Sequence, residues 1–141
     1  MIIYFGTVIL WITYSSIFGY CDAWYWYSAN IAKYCDKKFQ FKDLHPHYFW
    51  TRSLVGSVFA LSMAKDNLWL WFPIIICLSM MLPFFHNGFY YKTRNQIDPN
   101  VYKLGFKDMT STSIAPINFT FLVRTILFVT GLLGVFLIYF L

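Results

Sequence analysis

Charge is what this chain has least of. Lys, Arg, Asp and Glu make up only 12% of its 141 residues, where an ordinary soluble domain carries about a quarter. With 59% of residues hydrophobic, that shortage excludes a well-solvated globular surface and indicates a membrane protein. Cysteine is scarce too. Cys21, Cys35 and Cys77 have no C-x-x-C spacing and are odd in number, which argues against both a disulfide framework and a thiolate metal site. No repeat or low-complexity tract occurs, and there is no His-Glu-x-x-His motif. With only three histidines, the chain also lacks the several histidine boxes that a membrane desaturase or hydroxylase needs. The first twenty residues have neither a basic leader nor a small-x-small cleavage site, so they are expected to remain as a span.

What is present is long apolar runs and aromatic flanks. Phe, Trp and Tyr reach 23%, and runs such as Trp24-Tyr25-Trp26-Tyr27 and Trp69-Leu70-Trp71 suit the headgroup layer. About twenty apolar residues carry a helix across the hydrocarbon core. On that measure the chain is expected to be an all-α, four-helix transmembrane bundle in a single domain. The expected spans are 2–20, 49–64, 68–85 and 121–141, joined by polar connections at 21–48 and 86–120. A tight Lys65-Asp66-Asn67 turn leaves the second and third helices as antiparallel neighbours. Pro73 and Pro83 are expected to bend the third near both ends.

The charges are distributed unevenly. Ten of the eleven basic residues lie within or beside the stretches 20–52 and 86–124, and only Lys65 stands apart. By the positive-inside rule both connections face the cytoplasm and both termini lie outside, in a bacterial inner membrane or an organellar one. The net charge of +5 is spread among aromatics beside apolar spans. That placement suits anionic lipid better than nucleic acid. Small residues at four-residue spacing, Ser15-Gly19-Ala23 in the first span and Gly56-Ala60-Ala64 in the second, form two ridges expected to pack on each other.

The candidate site residues follow from that topology. Asp22 and Arg52 would reach similar depth and pair, since charge at membrane depth is costly unless paired, wet or snorkelled. His45, His47 and His86 would return to the same face. Together with Asp22 and Arg52 they form the candidate catalytic set, and the three imidazoles could hold zinc or iron, although no cofactor is the stronger expectation. Arg94 and Arg124 are candidates for lipid or phosphate binding, near the hydroxyl run Thr110-Ser111-Thr112-Ser113.

The set Asp22-Ala23-Trp24, His45-x-His47, Arg52, Phe85-His86-Asn87-Gly88-Phe89-Tyr90-Tyr91 and Thr110-Ser111-Thr112 resembles that of uncharacterised small multi-span membrane proteins of bacteriophages and their bacterial hosts. The resemblance covers most of the chain and implies no function. From the residues, the leading expectation is a non-enzymatic subunit or adaptor whose basic face binds anionic lipid, a partner protein or further copies of itself. An interfacial enzyme acting on a lipid or lipid-linked phosphate is the alternative. A pore or holin-like protein is a minor one, because the spans hold hydroxyls such as Thr13, Ser15 and Ser62 but almost no charge.

Overall fold

The computed structural model describes the backbone of residues 2–35, 45–64, 67–108 and 119–140, and side chains within 3–29 and 50–140 of these. The described residues form α1 (Ile2–Cys35), α2 (His45–Ala64), α3 (Trp71–Ile97) and α4 (Phe121–Tyr139), with short 3₁₀ turns at Leu68–Leu70 and Gly105–Lys107. Among them there is no strand. Among the described residues, three helical segments are long and apolar enough to cross a membrane: Ile3–Ala29, Leu68–Ile97 and Phe121–Tyr139.

α3 is the hub, packing extensively along both α1 and α4 and less along α2. The core is apolar and largely aromatic. Tyr4, Val8 and Trp11 of α1 meet Ala60, Met63 and Ala64 of α2, Ile74, Leu78 and Met81 of α3, and Val135 and Ile138 of α4. Leu54, Val58, Leu122, Ile126, Leu133 and Leu137 point outward, as lipid-facing residues of a bundle should.

Two expectations about packing change. The Ser15-Gly19-Ala23 ridge is buried, but it lies along α3 and not α2: a Cβ on Gly19 would strike the His86 carbonyl. α2 presents Gly56 to the Trp11 ring, whose nearest atom would stand 3.3 Å from an added Cβ. A large side chain thus fills the notch that a facing small ridge was expected to occupy. Trp11 is held there because its Nε1 donates to the Leu78 carbonyl at 2.8 Å. On α4 the buried stripe is Arg124, Gly131, Val135 and Ile138, with Gly131 and Gly134 against Cys77, while Thr130 is exposed.

Two helices outrun their expected ends. α2 starts at His45 and α3 runs on to Ile97, so His86 lies within α3 and does not close it, whereas α1 continues past its span to Cys35, as a helix expected to run on through Trp26 would. Burial explains the extension of α3. Tyr90 and Tyr91 pack with Ala23 and Tyr102, and Thr93 and Arg94 are buried beside them. Gly88 is kept in the helix because the Phe106 ring occupies the space where its Cβ would be. That ring is delivered by a chain reversal. Asp98 accepts from the Val101 and Tyr102 amides at 3.3 and 3.2 Å, and Gly105 takes a positive φ of 54° that favours glycine.

Pro73 stands in the first turn of α3, where no intrahelical donor is lost, and only Pro83 lies in the helix interior. Lys65 and Asp66 lie outside the described residues. The turn's far side is fixed by Asn67, whose amide donates to the Ala64 carbonyl at 3.1 Å and whose Oδ1 accepts from Trp69 N at 3.2 Å.

Candidate functional site

The antiparallel packing brings together the C-terminal part of α1, the N-terminal part of α2, the C-terminal half of α3 and the start of α4. Polar side chains collect at this end in two groups.

The first group joins three helices. Asp22 follows the Gly19 contact by three residues and is buried at the α1–α3 seam. Its Oδ2 accepts from Arg52 Nη2 of α2 at 2.6 Å and lies 2.8 Å from His86 Nε2 of α3. Arg52 Nη2 and His86 Nε2 are themselves 2.7 Å apart, and His86 Nδ1 is 2.9 Å from Asn87 Oδ1. A proton on Nδ1 donates to Asn87 and leaves Nε2 to accept from Arg52. With the proton on Nε2, the ring donates to Asp22 instead. In either tautomer both ring nitrogens face protein groups, so the cluster is knit to itself. The Asp22 charge is compensated by a guanidinium that remains about a quarter exposed, at 23%.

The second group surrounds Arg124, in the first turns of α4 just after the N-cap Thr120, whose Oγ1 accepts from Val123 N at 3.2 Å. The Arg124 side chain is completely buried. Its Nη2 donates to the Phe106 and Asp108 carbonyls at 2.9 and 3.2 Å. The guanidinium carbon lies 5.8 Å from the Tyr91 and Phe121 ring centroids and 5.9 Å from that of Phe106. Arg94, one turn after Tyr90, is also buried and lies 4.9 Å from the Tyr102 centroid. The Tyr102 ring in turn stacks on Tyr91 at 6.1 Å.

Of the residues singled out from sequence, Asp22, Arg52 and His86 therefore meet, while Arg94 and Arg124 belong to a neighbouring aromatic cage. The side chains of His45 and His47 lie outside the described ones, as does the 110–113 hydroxyl run. Among the described residues no three His, Cys, Asp or Glu side chains converge as a metal centre would require. Sequence reading missed Asn87, Tyr91, Tyr102 and Phe106. Spacing offered a partial signal, since Tyr91 precedes Arg94 by three residues and so shares its helix face. Tyr14 was missed as well. It lies two turns before Asp22 on α1, and its buried hydroxyl has no hydrogen-bond partner among the described residues.

Lys92, Lys103 and Lys107 remain exposed at this end, with the Lys92 and Lys107 ammonium groups each 5.6 Å from the centroids of Phe89 and Phe121. Compared with protein-family models, curated proteins and solved structures, the chain matches none.

Proposed function

We propose that this is a non-enzymatic integral membrane protein with four crossings, whose charged end faces the cytoplasm and binds anionic lipid headgroups. The observation that carries the reading is the imbalance of available charge at that end. Asp22 is consumed by Arg52 and His86, Asp108 is buried and Asp98 is half-buried, whereas Lys92, Lys103 and Lys107 stand exposed, Lys92 and Lys107 beside aromatic rings. Exposed ammonium groups on an interfacial aromatic shelf attract acidic headgroups, each worth about 1 kcal/mol near a charged surface. Both His86 nitrogens face protein groups, which supports binding over catalysis, because a general base needs a nitrogen aimed at substrate. The fourth crossing is supported by the length of α2, twenty residues antiparallel to α3.

The test uses purified protein in nanodiscs of phosphatidylcholine with graded phosphatidylglycerol. Phosphatidylglycerol should raise the thermal midpoint by a few degrees, an effect that salt weakens and that Lys92→Gln, Lys103→Gln and Lys107→Gln together remove. Equal midpoints in both lipids would overturn the reading. Orientation is checked separately with Lys103→Cys on a background without the native cysteines. A membrane-impermeant thiol reagent should label it only when the cytoplasmic side is opened.

A further inference from the structure

Arg124 carries a charge that no described carboxylate pairs with directly. Its guanidinium is fully buried, with two main-chain carbonyls as its hydrogen-bond partners, and its Nε and Nη1 are buried with no hydrogen-bond partner among the described residues. Those two atoms hold three N–H donors. No carboxylate among the described residues ion-pairs with it directly, although the buried Asp108 carboxylate lies near enough to favour its charge. Arg94 adds to the excess. It is also buried and without an ion pair among the described residues, and its Nε likewise has no partner. A buried cation with no directly bonded counterion, and with donors left unmade, is costly. The aromatic rings around Arg124 offset part of that cost through their faces, but a ring accepts no strong hydrogen bond.

We infer that Arg124 is the recessed receptor for one phosphate-type oxyanion, with Arg94 as the second cation that draws the anion in. The inference rests on the headgroup-binding reading above and specifies the group bound. A phosphate group supplies what is missing, a directly bonded negative charge with strong acceptors for Nε and Nη1. The place suits it. Arg124 lies four residues after the N-cap of a nineteen-residue helix, where the helix dipole adds positive potential. Phe121, at the first position of that helix, lies under the Lys107 ammonium group. Tyr91, Phe106 and Phe121 hold the guanidinium in place, so little freedom is lost when the anion arrives.

The experiment uses the full chain in maltoside micelles, which contain no phosphate, at constant ionic strength set with chloride. Inorganic phosphate and a short-chain phosphatidylglycerol are titrated separately while thermal unfolding is followed. A saturable rise in midpoint is expected. A rise with the lipid alone assigns the anion to a headgroup, and a rise with both assigns it to phosphate in general. Arg124→Met should show no ligand-dependent rise, and its ligand-free midpoint should equal or exceed that of the native chain, because an uncompensated charge has been removed. A native chain with no response, or an Arg124→Met chain with an unchanged one, overturns the inference.

Should Arg124→Met fail to fold, native mass spectrometry of the unaltered chain decides. One retained phosphate or phospholipid per chain is expected, and its absence counts against the site. The Lys92→Gln, Lys103→Gln, Lys107→Gln chain separates this inference from the reading beneath it. It should lose the salt-sensitive lipid preference and keep the saturable response.

Discussion

The two ends of this bundle are built on different physics. At the end formed by the start of α1 and the end of α4, the helices are joined by neutral groups. The Tyr4 hydroxyl donates to the Met63 carbonyl at 2.7 Å, Tyr4 packs edge-on against Tyr139, and Phe5 does the same with Phe136. At the other end, the Asp22 carboxylate, the His86 imidazole and the Arg52 guanidinium meet beside Arg94 and Arg124, which lie against aromatic rings. The neutral end leaves little to satisfy beyond the buried Trp71 indole N–H, which has no hydrogen-bond partner among the described residues, because a helical carbonyl has a second lone pair to offer Tyr4. The charged end must balance every group against another, and Arg124 is where the balance stops short. Stability is therefore expected to be concentrated at the neutral end, and responsiveness at the charged one.

The largest effect that would sharpen this contrast is steric. Gly19→Ala places a methyl group on the His86 carbonyl, forcing α1 and α3 apart at the charged end. A loss of about 3 kcal/mol is expected, read as a collapse of the monodisperse peak in fluorescence-detected size exclusion. Next comes Arg52→Gln, which leaves the buried Asp22 facing His86 without its cation. We expect a loss of about 2 kcal/mol, since Arg52 is partly exposed and the pair is screened on that side. Combining it with Asp22→Asn should recover at least half, and a fully additive double variant would show that the two charges do not interact.

At the neutral end Tyr4→Phe removes one hydrogen bond, and a loss of about 1 kcal/mol is expected from thermal unfolding in detergent. Smallest, and opposite in sign, is Gly6→Ala. Nothing lies within 4 Å of the added Cβ, so helix propensity alone acts and a gain of about 0.5 kcal/mol should follow. If Gly6→Ala proved as damaging as Gly19→Ala, the two ends would not differ in the way described.

How much of this could be read from the chain differs between its parts. The helices were legible because their apolar runs are long, and the meeting of Asp22 with Arg52 was legible from matched depth. The ends were not. Tyr90, Tyr91 and Arg94 read as a polar loop until their burial against Ala23 and Tyr102 extends α3 through them. The partner of the Ser15-Gly19-Ala23 ridge was equally hidden. Two helices offered small residues at suitable spacing, and nothing local to either stretch shows that Trp11 fills the Gly56 notch while the His86 backbone takes Gly19. His86 joined Asp22 for the same reason: its neighbour is chosen by the crossing of α1 and α3, sixty-four residues apart in sequence.

The centrality of α3 has a consequence for how the protein is made. α1 leaves the ribosome first, yet its Trp11 donor, its Gly19 notch and its Asp22 carboxylate all find partners on α3. Until about residue 86 has been delivered to the bilayer, α1 and α2 are held by the Asp22–Arg52 bridge, the Tyr4–Met63 hydrogen bond and the packing of Trp11 on Gly56 and Phe59. A chain stopped between α2 and α3 would thus hold a loose helical hairpin with a half-compensated acid at its end. Such an intermediate is a natural target for membrane quality control, so the interval between synthesis of α2 and arrival of α3 is the vulnerable period in this protein's assembly.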